Sequence, residues 1–133
     1  MIRQATPGDI PGVKSLMQSE PGFWKKDAPS KALEIELASA KGLAVVWEEG
    51  GEILGFACAH DFGFRAYLSE LIVAKGARGR GIGRGLVEYI QDELRSRGCP
   101  VLISDAWKDA EGFYRSLGWS EPDVVLLRKR LNS

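Results

Sequence analysis

Leu71-Ile72-Val73-Ala74-Lys75-Gly76-Ala77-Arg78-Gly79-Arg80-Gly81-Ile82-Gly83-Arg84-Gly85-Leu86 is the stretch that decides how this chain is read. An apolar strand end runs into a turn studded with glycine and arginine. A helix follows, marked by Ile82, Leu86, Ile90 and Leu94 at every fourth position. Glycine lets the backbone turn tightly and approach a ligand with no Cβ in the way. The helix start aims unpaired N–H groups and the positive end of its dipole at the same place. The expected occupant is an anion, most naturally phosphate. Arg78, Arg80 and Arg84 add full charges around it.

Known phosphate loops divide over this turn. A dinucleotide fingerprint needs G-x-G-x-x-G, and the third glycine place holds Arg84 counted from Gly79, or Leu86 counted from Gly81. A P-loop needs Gly-Lys followed by Ser or Thr, which is absent. An RNA-binding Arg-Gly segment is repetitive and disordered, whereas this one is wedged between a strand and a helix. The plain alternative is a glycine turn with solvated arginines.

Outward from the turn, residues 66–73 form the strand that feeds it. Before them come a strand at 2–5 and a helix opened by Thr6-Pro7-Gly8-Asp9, with Ile10, Val13, Leu16 and Met17 on one face. Glu20-Pro21-Gly22 ends that helix, and Phe23 and Trp24 fall in a loop. A second helix starts near Asp27-Ala28-Pro29-Ser30 and carries Leu33, Ile35 and Leu37. Strands at 43–47 and 53–60 flank the hairpin turn Glu49-Gly50-Gly51-Glu52. After the third helix come a short buried strand at 101–104 and a helix with Ala110, Phe113, Tyr114 and Leu117. One or two strands are expected over 119–131. The order β-α-α-β-β-β-α-β-α-β predicts an α/β fold: a mixed, mostly antiparallel central sheet flanked by helices.

A chain of 133 residues is expected to be a single domain with a proper core. Eighteen basic and eighteen acidic side chains cancel, which argues against a nucleic-acid coat or a membrane-surface protein. Basic residues matter only where they cluster, in the turn and at Arg128-Lys129-Arg130. Cys58 and Cys99 lack metal-ligand spacing and read as free thiols in a reducing compartment. With His60 the only histidine, no metal is expected. No signal-like or membrane-spanning stretch is visible, so a cytoplasmic location is the default.

Arg78-Gly79-Arg80-Gly81-Ile82-Gly83 resembles the Arg/Gln-x-x-Gly-x-Gly/Ala signature of the GNAT superfamily of acyl-CoA-dependent N-acetyltransferases. Tyr67 to Val73 is similar to the strand that precedes it in that family. Phe113-Tyr114-Arg115-Ser116-Leu117-Gly118-Trp119 resembles its Phe-Tyr-x-x-x-Gly-Phe segment. The likeness is continuous from about residue 53 to 119, and Arg97-Gly98-Cys99-Pro100 resembles a run in a bacterial branch. It implies acetyl-CoA as co-substrate, its pyrophosphate held by Arg78, Gly79, Arg80, Gly81, Ile82, Gly83 and Arg84. The pantetheine arm would bond the backbone of Ile72 and Val73 like an added strand, placing the thioester beside Glu70 and Leu71.

Acetyl transfer needs a neutral amine and a proton for the departing thiolate. By resemblance Tyr114 supplies that proton; its other reading is a packed aromatic beside Phe113. Glu70 interrupts an apolar strand, alternating with Leu68 and Ile72, and an unpaired buried carboxylate is expensive. It reads as the base, as an anchor for a cationic substrate, or as a strand carboxylate paired with a cation. Where the family often has asparagine six residues before Phe113, this chain has Trp107, which cannot supply an amide's paired donor and acceptor. Phe23, Trp24, Asp61, Glu70, Asp105 and Trp107 are the candidate acceptor contacts, Asp105 being equally a helix cap. Aromatics with acids suit a small-molecule or N-terminal amine. Neither nucleic acid nor membrane is an expected partner, and a homodimer is allowed. The competing readings are a non-catalytic acyl-CoA-binding module, favoured by Trp107, and a nucleotide- or RNA-binding domain, disfavoured by the balanced charge.

Overall fold

The computed structural model describes residues 1–131. Its strands are β1 (Ile2–Gln4), β2 (Ala44–Glu49), β3 (Glu52–Asp61), β4 (Ala66–Val73) and β5 (Leu102–Ile103). The helices are α1 (Ile10–Ser19), α2 (Ala32–Ala40), α3 (Ile82–Ser96) and α4 (Glu111–Ser116). The sheet runs β1-β2-β3-β4-β5, antiparallel through β4 and parallel between β4 and β5. This is the mixed, mostly antiparallel sheet the sequence predicts. No helix among the described residues is long and apolar enough to cross a membrane.

Helix α3 buries Ile82, Leu86, Val87, Ile90 and Leu94 against the sheet. It lies so close that a Cβ added at Gly55 of β3 would stand 2.9 Å from both Ile82 and Leu86. On the other face, Val13, Leu16 and Met17 of α1 and Leu33 and Ala40 of α2 join the core around Phe56. Each apolar side chain so buried contributes about 1.5–3 kcal/mol relative to exposure. A polar clasp fixes β1 to α1: two nitrogens of Arg3 each lie 2.8 Å from an Asp9 oxygen, and Arg3 also reaches Glu48 at 2.8 Å. Hydrogen bonds from Arg3 are the main reason the Asp9 carboxyl falls to about 2.

The β3–β4 ladder shifts register once. Cys58 stands opposite Glu70, yet Ala59 stands opposite Leu68, so Ser69 is an extra residue on β4. This is a β-bulge, and it breaks the period of two. Directly opposed residues share a face, so Glu70 sits on the face of Cys58 and Leu68 on the face of Ala59. The expected alternation of Glu70 with Leu68 therefore fails. Glu70 keeps company with Ile72 only.

Other expectations are also corrected. In α2 the apolar stripe runs Leu33, Leu37 and Ala40, and Ile35 is 58% exposed, because a helix repeats at 3.6 and not at two. The short strand near 102 is not buried; Val101 and Ile103 lie largely at the surface. No described residue from Trp119 onward is in a strand. Val124 to Leu127 are at least 74% exposed, and this tail turns toward the α1–α2 loop, where Arg130 pairs with Asp27 at 3.1 Å.

Candidate active site

Strands β4 and β5 pair at only two positions, Ala66 with Leu102 and Tyr67 with Ile103. Beyond them β4 continues to Val73 without a partner on that side, and a cleft of about 940 Å³ opens there. Its walls are the β4 edge, the start of α3, residues 104–107 and α4. Of the residues predicted to hold a cofactor, Leu71 to Val73 and all of Arg78 to Arg84 except Arg80 line this cleft. Glu70, Tyr114, Phe23, Asp105 and Trp107 line it too.

The glycine turn forms one end. Gly79 and Gly81 both have φ of +82°, a left-handed backbone that side chains disfavour. Nothing lies within 4 Å of where their Cβ atoms would be, so the space in front of the turn is open. Gly81 is the residue before α3, and no side chain caps that helix. The first N–H groups of α3 have no partner within the helix and face the cleft mouth. The arginines already hold carboxylates. Arg78 pairs with the buried Glu20 and reaches the Val73 carbonyl at 3.3 Å. Arg80 turns away to Glu49 at 2.5 Å, and Arg84 pairs with Glu88 at 3.2 Å. The backbone, more than any free guanidinium, makes this end receptive to anions. Arg128 of the tail joins the lining.

The other end is acidic. Burial pushes the Glu70 carboxyl up to about 8, the negative charge of Glu36 adds to the rise, and Lys25 opposes it. The charge of Asp105 contributes further. The sequence reading missed Glu36. Its signal was the helical spacing Leu33-x-x-Glu36-Leu37-x-x-Ala40, which places it on the stripe α2 turns to the sheet. Ser69 donates to Glu36 at 2.6 Å, and His60 Nε2 lies 2.9 Å from the Ser69 hydroxyl. The other ring nitrogen of His60 lies 3.0 Å from Ser39. Glu36, Cys58 and His60 bring a carboxylate oxygen, a sulfur and a nitrogen within 4.8 Å of one another. Burial raises the Cys58 thiol and keeps its proton on.

Tyr114 projects from α4 with its ring edge-on to Phe113 and Trp119, at centroid distances of 5.3 and 5.1 Å. Burial raises its hydroxyl, and a hydrogen bond with Ser104 partly offsets that. Tyr67 donates to Asp105 across the parting strands. The Trp107 ring lies against Gly22, where a Cβ would be 3.0 Å from two ring carbons, and Lys25 stands 5.5 Å from its centre. These contacts join the α1–α2 loop to the 104–107 wall of the cleft. Two predicted acceptor residues lie elsewhere. Trp24 packs on the core under Lys14, and Asp61 accepts the Gly63 N–H at 2.8 Å in a loop turn. Neither lines the cleft.

A sequence model of the Acetyltransferase (GNAT) family matches residues 11–119. Similar solved structures include one described as a transcriptional regulator from Bacillus halodurans C-125, at 24% identity and TM-score 0.80, covering 98% of this chain and 99% of that one. Glucosamine-6-phosphate N-acetyltransferase from Arabidopsis thaliana is similar at 19% identity and TM-score 0.76, with 97% of each chain covered. N-acetylglutamate synthase from Neisseria gonorrhoeae, solved with coenzyme A and N-acetyl-glutamate, is 25% identical at TM-score 0.73, over 87% of this chain and 27% of that one.

Proposed function

The chain belongs to the GNAT family of acetyltransferases, and from that premise we propose that it carries an acetyl group from acetyl-CoA to a primary amine. The observation that carries this reading is the early parting of β4 from β5 beside an uncapped helix start. A bare strand edge and a ring of free N–H groups, side by side in one cleft, fit a ligand that is amide-bearing along its length and phosphorylated at one end. Coenzyme A has that form, and the neighbour bound to it lends support.

In this reading the backbone from Gly79 to Arg84 holds the pyrophosphate, and the edge of Ile72 and Val73 orients the arm. Acetyl-CoA supplies an activated acyl group, so the protein's work is to place the amine and move protons. The acidic end, with Glu70 and Asp105 under Phe23 and Trp107, draws in an ammonium and strips its proton at Glu70. The free amine then attacks directly within a ternary complex. Tyr114, whose hydroxyl burial keeps protonated, delivers a proton to the departing sulfur. Small metabolic amines and protein N-termini both match this chemistry.

Release of free thiol from acetyl-CoA, followed against a panel of amines, tests the proposal. Acetylation of at least one amine, lost in Glu70→Gln, is the expected result. Tight coenzyme A binding with no turnover across the panel would turn the reading to a non-catalytic binding module.

A further inference from the structure

The polar cluster behind Glu70 has no task in the transfer described above, yet hydrogen bonds link it across three elements. Four side chains from three elements meet there: Glu36 from α2, Cys58 and His60 from β3, and Ser69 from β4. The bulge makes the meeting possible, because it sets Ser69 beside Glu70 in place of the next apolar residue. Ser69 gives its only proton to Glu36 at 2.6 Å and stands 3.2 Å from the Cys58 carbonyl. His60 closes the chain from the far side, 2.9 Å from Ser69 and 3.8 Å from Glu36. Glu36 is thereby fixed on two sides, bonded to the residue that precedes Glu70 and close enough for its charge to act on Glu70.

We infer that Glu36 is a positioning residue for Glu70: seated by Ser69 and His60 on the face of the sheet that Glu70 shares, its negative charge makes Glu70 a base strong enough to deprotonate an ammonium. The inference rests on the acetyltransferase reading. Two carboxyl groups sharing a site cannot both ionise freely, so one of them keeps its proton far above the ordinary range. An ammonium of pKa near ~10 gives its proton to an ordinary carboxylate only against roughly six units; a Glu70 at about 8 narrows that to about two. The proton passes from the ammonium nitrogen to a Glu70 oxygen, leaving a neutral amine and a carboxyl pair that shares that one proton and keeps a single negative charge. The other charged and titratable groups facing Glu70 are Lys25 from the loop, Asp105 after β5, Tyr67 on its own strand, and Cys58 and His60 across the ladder. Lys25 alone among them opposes the rise.

The Glu36, Cys58 and His60 donors also match the spacing of a metal site. The protonated, buried thiol and the hydrogen-bonded serine between the other two favour the proton-sharing arrangement.

The test uses the full chain and three variants. Glu36→Gln preserves the shape and still accepts from Ser69. It should shift the acid limb of kcat/KM from near pH 8 to lower pH by about one unit or more, lower kcat on the alkaline plateau, and leave KM for acetyl-CoA unchanged. Ser69→Ala, which frees Glu36, should move the limb the same way by less. Without any substrate, carbon-13 NMR of labelled glutamate carboxyls, with Glu70 assigned by Glu70→Gln, should show the same downward move. A Glu70 titration unchanged in folded Glu36→Gln and Ser69→Ala overturns the inference. If no amine is acetylated, the function proposed above fails while the carboxyl titration still decides this one. Stoichiometric cobalt binding with a thiolate charge-transfer band overturns it in favour of a metal site.

Discussion

At the residue scale, the proposed transfer rests on two side chains, and each makes a separate prediction. Tyr114→Phe keeps the ring that packs on Phe113 and Trp119 and removes only the hydroxyl. It should lower kcat by about 10²-fold or more with little change in coenzyme A affinity, measured by initial rates and calorimetry. Glu70 should reveal itself in stability as well. Its folded carboxyl is raised to about 8 from an ordinary 4.5, so the folded state binds more protons between those values. Stability then falls as pH rises through that window, and the loss is complete above about 8. Glu70→Gln should melt roughly 3–5 °C higher than the parent at pH 9 and about equal to it below pH 4.5. Equal melting at pH 9 would show that Glu70 is not strained by burial. Glu70 and Tyr114 were legible because a charge in an apolar strand and a Phe-Tyr pair in a helix stand out in print. Glu36 was not, because Leu33-Glu34-Ile35-Glu36-Leu37 reads by eye as an alternation and only a helical wheel turns Glu36 inward.

At the element scale, the turn into α3 is the part most open to disruption. Gly81→Val puts a branched side chain on a left-handed backbone, where even a plain Cβ costs about 1–2 kcal/mol. The open space in front of it means no clash with the fold itself. Coenzyme A affinity should fall tenfold or more, by calorimetry, while far-ultraviolet circular dichroism stays that of the parent. An unchanged affinity would remove the turn from the binding site. The strand, turn and helix were legible because glycine spacing and a four-residue apolar repeat are local signals. The partners of Arg78 and Arg80 were not: Glu20 and Glu49 lie far away in sequence and are brought close only by folding. The bulge at Ser69 also escaped, since no residue there is a glycine or proline to mark it.

At the scale of the whole molecule, the clasp between β1 and α1 sets the limit of acid tolerance. Asp9 is held at about 2 against an ordinary 3.8, so its contribution is present above 3.8 and is lost as pH falls toward 2. Asp9→Asn should flatten the fall in melting temperature across that window and lower it at neutral pH. An acid limb identical to the parent's would place the sensitivity elsewhere. The order of elements up to α4 was legible, whereas the tail was not. Val124 to Leu127 look like a strand by composition, but a strand needs a neighbour, and β5 is paired for only two residues. The single surplus residue in β4 has a consequence for how this sheet tolerates change in length. On either side of Ser69 the chain counts in twos, and the odd member is what turns the carboxylate of its successor away from α3. Excising that one position would leave Leu68 and Glu70 on the opposite faces they already occupy, in a straight ladder, and would cost only the hydroxyl that seats Glu36. Insertions in the surrounding hairpin tips should pass unnoticed, while loss of Leu68 would draw Ser69 into its place opposite Ala59.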